Sequence, residues 1–528
     1  MKKKFNITGL CFPQEHYMAD VSKKLEQAYT MVENGDYFII NRPRQYGKTT
    51  TLYTLADTLR KTGDYIVLNT SFEGVGDIVF NDEKVFSQGF VEILAKYATI
   101  YMPQTEKWLL KTASKTHSLK MLENILTEFV NKTDKKVVLM IDEVDKSSNN
   151  QLFISFLAML RNKYLERSSF KTFHSVVLAG VHDVKSLKLK IRSDEEGKFN
   201  SPWNIAAEFT VDMNLQVSEI KPMLDEYAAD KGVKMDTQYM SEQLFYYTSG
   251  YPFLVSKLCK MLDESYLPQK MARLDTIETQ KEWTAHDLEL AVQQLVTESN
   301  TNFDTLIKNL ENNKELYEMV YSLAVDNETR SFNIHNPTTN LASMYGILVN
   351  RNGSAAIHNR IYREVIVNYM TDKMHGLQLS KGADFGAGYK NDNGSLNMEA
   401  VLLGFQAFMK KEYNKKDRDF LERHGRLVFL AFIKPIINGS GYDFKEPQVS
   451  EEKRLDVVIT HLQHKYIAEL KLWRGEKAHE KGLIQLVNYL DSQALTEGYL
   501  LIFDHTEVKK WHSEWIEAEG KKIFSVWV

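Results

Sequence analysis

Cysteine is nearly missing from this 528-residue chain, which has only Cys11 and Cys259. Two thiols cannot build a disulfide framework, and that points to a reducing compartment. No apolar run approaches the ~18 residues that a membrane-crossing helix requires. The basic opening MKKKFNITGLCFPQEHYMAD also lacks the apolar stretch of a signal peptide. These absences fit a cytoplasmic protein with no membrane partner. Proline and glycine are sparse, at 10 and 26 residues, and no segment has the composition of a disordered tract. Charge of one sign is lacking too: the net charge is −4, and residues 401–528 carry 20 Lys+Arg against 19 Asp+Glu. A polycationic nucleic-acid domain is therefore excluded, and any nucleic acid would have to meet a local basic face.

What is present is enough hydrophobic sequence, 43% of the residues, for about three or four domain cores. Short apolar runs alternate with helical periodicity from residue 37 to about 212. The strand candidates are Tyr37–Asn41, Tyr65–Thr70, Lys136–Ile141, Ser175–Ala179 and Glu208–Val211. Such β-branched and aromatic runs, separated by helices, predict a mostly parallel sheet covered on both faces. Residues 215–300 read as helices only, with a Gly C-cap signal at the end of IKPMLDEYAADKG. In 301–375, helices precede two short strands around Asn352-Gly353, a dipeptide suited to a tight hairpin. Helices followed by a hairpin suggest a winged-helix-like module. The Gly-, Asn- and Asp-rich stretch 376–395 reads as a linker. The block 396–528 opens with a long helix, passes through strands and closes on a βαβ-like section.

The first chemical motif lies in YFIINRPRQYGKTTTLYTLADTL, where Arg44, Gln45, Tyr46, Gly47, Lys48, Thr49 and Thr50 stand between a strand and a helix. Backbone N–H groups at such a helix N-terminus receive phosphates. Lys48 neutralises the β and γ oxygens, and the Thr49 hydroxyl joins the shell of a Mg²⁺ ion. The usual loop begins with Gly, whereas this chain has Arg42. Downstream, KVVLMIDEVD carries Asp142 to a strand end, where its carboxylate can hold Mg²⁺, and Glu143 follows to polarise the attacking water.

Loops of the form RPRxxGK(S/T) resemble those of AAA-like ATPases. The strand at 65–70, between the two motifs in sequence, matches the ATPase division that uses this glutamate. Ser201-Pro202-Trp203-Asn204-Ile205 is similar to the SPFN segment of AAA-like domains. Gly250-x-Pro252 resembles a lid motif in which the proline lies against adenine. The resemblance covers about residues 5–375 and implies ATP and Mg²⁺ as cofactors. Arg161 reads either as an arginine finger, which would require a homo-oligomer, or as a solvated helix-end charge. His182 and Asp183 read as a γ-phosphate sensor or as ordinary loop polarity. Arg351, Arg360 and Arg363 flank the hairpin of the winged-helix candidate and could face DNA.

The second motif lies in EKRLDVVITHLQHKYIAELKL. Asp456 stands near the start of one strand, and Glu469-x-Lys471 lies along the next. Period-two geometry puts Glu469 and Lys471 on one face. Two carboxylates can hold Mg²⁺ against a scissile phosphate while the lysine stabilises developing charge. This pattern resembles the PD-(D/E)xK nuclease superfamily over about residues 396–505. The resemblance implies an additional metal-ligand carboxylate at Glu422, and supporting roles for Gln485 and Tyr489, one helical turn apart. Arg454-Leu455 stands where the superfamily commonly has proline.

The expectation is an α/β multidomain chain. It comprises a P-loop AAA-like ATPase core with a parallel sheet (1–214), a helical lid (215–300), a winged-helix-like module (301–375), a linker (376–395) and a C-terminal α/β nuclease fold (396–528). Its expected activity is ATP-gated, Mg²⁺-dependent cleavage of DNA, in preference to RNA. Two other readings stay open: a regulatory ATPase switch with a non-catalytic nuclease-like scaffold, and a non-cutting DNA-binding ATPase of a mobile element.

Overall fold

A computed structural model describes residues 3–72, 77–144, 150–181, 203, 205–268, 281–325, 328–375, 387–391, 393–412, 425, 428–430, 432–433, 436–437, 457–461, 464–473, 476–504 and 511–528. The chain divides into two compact units, Met1–Ala291 with Asn340–Leu348, and Val292–Thr339 with Val349–Val528.

In the first unit the strands β1 (Tyr37–Asn41), β2 (Tyr65–Ser71), β3 (Lys136–Asp142) and β4 (Ser175–Gly180) form a parallel sheet of order β1-β4-β3-β2. Their side chains are buried nearly end to end, as continuous apolar strands in a doubly covered sheet must be. Four of the five expected strands are therefore present. The fifth, 208–211, is not a strand. On the side of β1 away from β4, pairing among the described residues is the bridge between Phe38 and Ala207. Beyond it, the carbonyls of Phe209 and Val211 accept hydrogen bonds from the Arg42 guanidinium (3.4 and 2.6 Å).

Helix α1 (Ser22–Glu33) precedes β1, and α2 (Lys48–Thr62) follows it. Between β2 and β3 the chain makes α3 (Glu83–Tyr101), α4 (Pro103–Ala113) and α5 (Leu119–Asn131), and α6 (Gln151–Leu165) lies between β3 and β4. Asp82, Ser118 and Asn150 cap the N-termini of α3, α5 and α6 through their side-chain oxygens. Phe72, Phe80, Phe86, Phe153 and Phe156 pack into the core that joins these helices to the sheet. Trp203, part of the segment similar to SPFN in the sequence, is fully buried in that core against Tyr37.

The expected lid is helical: α7 (Val217–Lys231), α8 (Thr237–Thr248), α9 (Pro252–Met261) and α10 (Ala285–Thr297). Gly232 closes α7 in the left-handed conformation, as its sequence signal predicts. The turn between α8 and α9 holds Ser249 and Gly250 at φ +48° and +73°. At Gly250 the lid meets the segment leading to α7. Leu215 N–H donates to the Gly250 carbonyl (2.8 Å), and a Cβ on Gly250 would stand 2.0 Å from the Leu215 oxygen.

After α10 come α11 (Thr301–Glu311), α12 (Lys314–Ala324), β5 (Arg330–Ser331), α13 (Pro337–Met344), β6 (Leu348–Arg351), β7 (Ser354–Ile357) and α14 (Arg360–His375). The strands β5, β7 and β6 make a small sheet in that order, and β5 pairs antiparallel with β7. Asn352 and Gly353 both take positive φ, as the tight hairpin requires. The last stretch contains α15 (Met398–Glu412), β8 (Val457–His461), β9 (His464–Leu472), α16 (Glu476–Ser492), β10 (Glu497–Phe503), β11 (Ser513–Ala518) and β12 (Lys521–Trp527). Its sheet runs β11-β12-β10-β9-β8, with β9 and β10 parallel across α16, so the expected βαβ section is real. Among the described residues no helix is long and apolar enough to cross a membrane.

The two lid glycines give a matched test of close approach. Gly232 (φ +64°) has nothing within 4 Å of its Cβ position, so Gly232→Ala pays only the left-handed penalty of about 1 kcal/mol. Gly250→Ala adds a backbone clash, and its thermal midpoint should fall several degrees further than that of Gly232→Ala. Equal midpoints would show that the Gly250–Leu215 contact carries no weight.

Candidate functional site

The end of β1 and the start of α2 are joined by residues 42–47, with left-handed backbone at Gln45 (φ +58°) and Gly47 (φ +75°). Conformations of this kind gather successive N–H groups into an anion-binding concavity, and here it opens at a helix N-terminus. Lys48 is buried, and its ammonium donates to the carbonyls of Arg42 (3.0 Å) and Pro43 (2.9 Å). The cation thus lies within the cradle of its own loop. Arg44 and Gln45 are exposed, as is Thr49.

The acidic motif meets this loop directly. Thr49 Oγ1 donates to Asp142 Oδ2 at 2.6 Å, and the Glu143 amide donates to Asp142 Oδ1 at 2.9 Å. Asp142 is buried at the end of β3. Glu143, half-buried, takes a left-handed φ of +56°, an uncommon conformation for a non-glycine residue. In sequence β2 intervenes between the two motifs, but in space the strand between β1 and β3 is β4. Oxygen donors from Thr49 and Asp142, already in contact, are a donor set that suits Mg²⁺.

Arg42, the departure from the usual loop, has a structural use. Its guanidinium donates to the carbonyls of Asn41, Phe209 and Val211 and stands over the Phe209 ring (5.5 Å). Burial lowers its pKa. The side chain therefore splints the loop to residues 209–211.

Two tyrosines tie the loop to Asn214 and to the turn between α8 and α9. The Tyr46 hydroxyl donates to Asn214 Oδ1 (2.7 Å), and burial pushes its pKa well up, keeping it a donor. The Tyr251 hydroxyl donates to the Arg44 carbonyl (2.6 Å), and the two rings meet edge to face at 4.5 Å. Pro252, expected against adenine, is the first residue of α9 and is half-buried. The neighbouring Tyr251 was missed; its signal is an aromatic residue inside the Gly-x-Pro motif. The N-terminal segment was missed as well. The Cys11 amide donates to Thr50 Oγ1 (3.3 Å), and Phe12 packs edge-on against Tyr53. Gly346 (φ +70°) also presses on the loop: a Cβ there would lie 2.7 Å from Pro43 Cγ.

Arg161 sits half-buried on α6. His182, Asp183, Ser201, Pro202 and Asn204 lie outside the described residues. Of the arginines expected beside the hairpin, Arg363 is buried and donates to the Ala324 carbonyl, and Arg351 donates to the His358 carbonyl. Arg363 is thereby corrected from a DNA-facing residue to a structural one.

In the C-terminal sheet, Glu469 and Lys471 share a face of β9 as expected. Glu469 is buried, and Lys471 Nζ lies 2.8 Å from its Oε1. Lys471 also donates to Gln485 Oε1 on α16 (3.2 Å), and its stem runs over Gly482. Tyr489 is buried one turn along α16. Asp456, Arg454, Leu455 and Glu422 lie outside the described residues. Among the described residues no group of three or more His, Cys, Asp or Glu forms a metal-binding cluster.

No curated protein matches the chain. Among solved structures it is similar to a Walker-type ATPase of Pyrococcus abyssi, with 12% identity, 69% of this chain and 99% of that chain covered, and a TM-score of 0.45. It is also similar to the ORC2 protein of Aeropyrum pernix in ADPNP–ADP complexes (14% identity, 70% and 96% covered, TM-score 0.36). A third is the ORC1 protein of Aeropyrum pernix in complex with DNA (10% identity, 68% and 94% covered, TM-score 0.31). The model of the AAA-like domain family matches residues 13–366, well over half of the chain, and the protein belongs to that family.

Proposed function

We propose that the chain binds and hydrolyses ATP through the loop at 42–50 and uses that cycle to control a C-terminal nuclease domain that cuts DNA. The observation that carries the first part is the 2.6 Å contact between the Thr49 hydroxyl and the Asp142 carboxylate. In this reading Lys48 and the loop amides hold the phosphates. Thr49 and Asp142 hold Mg²⁺, which when bound would offset charge on the β- and γ-phosphate oxygens. Glu143 stands beside Asp142 and accepts a proton from the attacking water. Its left-handed backbone supports the assignment, since strain of this kind gathers at catalytic positions.

The nuclease part rests on the buried Glu469 in contact with Lys471, itself held by Gln485. Parallel β9 and β10 across α16 support a PD-(D/E)xK-type core for 396–528. Glu469 would supply a metal ligand with Asp456, and Lys471 would balance negative charge gathering at the scissile phosphate. The order helix, helix, strand, helix, hairpin in 301–375 supports a winged-helix-like module. The finer division at residues 214, 300 and 375 belongs to the same proposal. With Arg363 committed to the interior and Arg351 exposed, DNA contact by this module would rest on Arg351 and Arg360.

Two measurements test the proposal. Lys48→Ala should abolish binding of a fluorescent ATP analogue. Glu143→Gln should keep binding and slow phosphate release by about a hundredfold or more. Retained binding in Lys48→Ala would reject the loop assignment. Wild-type protein with Mg²⁺ and ATP should cleave DNA, and Lys471→Ala should lower the rate by roughly 10²–10³. If folded protein turns over ATP and cuts neither DNA nor RNA, the nuclease part is rejected and the regulatory switch with a non-catalytic scaffold stands ahead.

A further inference from the structure

The Arg44–Gln45 peptide of the loop at 42–47 is gripped through its backbone by a residue of the turn between α8 and α9. Tyr251, fully buried and 207 positions away in sequence, donates its hydroxyl to the Arg44 carbonyl at 2.6 Å. A trans peptide is planar, so the Gln45 N–H faces the opposite way from the carbonyl and away from Tyr251. The next residue pays for this orientation: Gln45 has φ +58°, where a non-glycine side chain costs about 1 kcal/mol. Turning the peptide over would relieve that cost and would also swap the N–H for a carbonyl. The Tyr251 hydroxyl opposes the turn, while its ring is braced at 4.5 Å by Tyr46. The turn bearing Tyr251 is pinned in place by the 2.8 Å bond from Leu215 to the Gly250 carbonyl.

We propose that Tyr251 is a positioning residue for nucleotide: its hydroxyl fixes the Arg44–Gln45 peptide so that the loop presents an N–H, not a carbonyl, to the phosphates. Phosphate affinity then depends on the lid turn being seated, and bound phosphate in turn holds the lid. The inference rests on the nucleotide-binding reading of this loop.

The test is a double-mutant cycle read by titration of a fluorescent ADP analogue with Mg²⁺. Tyr251→Phe removes one oxygen and keeps the ring, and thermal unfolding checks that the fold persists. It should weaken binding roughly three- to tenfold, the range for one lost hydrogen bond. Gln45→Gly removes the left-handed penalty, so in that background Tyr251→Phe should change affinity less than about twofold. A purely structural tyrosine would give equal losses in both backgrounds, and that result overturns the proposal. So does wild-type affinity in Tyr251→Phe itself. If the wild-type chain binds no nucleotide, the reading of the loop fails before Tyr251 is reached.

Discussion

The contact of Thr49 with Asp142 is the interaction on which the proposed nucleotide site depends, and it is set by strand order. The two residues follow β1 and β3, which are not neighbours; β4 lies between them, parallel to both. Parallel pairing lets three consecutive strands end at the same edge, so a loop from one and a carboxylate from another can face each other there. Ligands of open α/β sheets bind outside this carboxyl edge for that reason. The 2.6 Å hydrogen bond is therefore a consequence of topology before it is a feature of chemistry.

Strands β1 to β4 are legible in the sequence almost to the residue because each is buried on both faces and must be apolar throughout. The segment 208–211 carries the same composition and fails. Its pairing starts correctly, with the Ala207 amide donating to the Tyr37 carbonyl, but the Phe209 and Val211 carbonyls go to Arg42. Arg42 was visible only as an irregular first position of a glycine loop. Its partners are 167 and 169 residues away, a distance across which local pattern carries no information. Tyr251 escaped notice for the same reason. Periodicity reports which face of an element is buried, not which distant backbone atom a buried hydroxyl will reach.

The second compact unit divides along the same line. Alternation along β9 placed Glu469 and Lys471 together, whereas helical spacing paired Gln485 only with Tyr489, and its meeting with the lysine emerges in the fold. Arg363 is the instructive failure. Its neighbours one turn on, Ile366 and Val367, are both buried, so helical periodicity already assigned it to an inward face. Reading it as a DNA contact followed residue type in place of period. A guanidinium can be inward if a backbone carbonyl receives it, and Ala324 supplies one.

Local preference is violated where the proposed nucleotide site is built, and hydrogen bonds hold the violations. Gln45, Glu143 and Ser249 are three of the non-glycine residues with positive φ, and they stand in the phosphate loop, after Asp142, and in the lid turn. Each is backed by a bond at its own or the preceding peptide: Tyr251 to the Arg44 carbonyl, the Glu143 amide to Asp142, and the Ser249 amide to the Phe245 carbonyl. Asn352, by contrast, takes its positive φ in a hairpin whose sequence asks for it. A hairpin can be specified by two adjacent residues. The turn at Gln45 cannot, because the residue that bears the strain and Tyr251, which restrains it, lie on different elements, and only the fold brings them together.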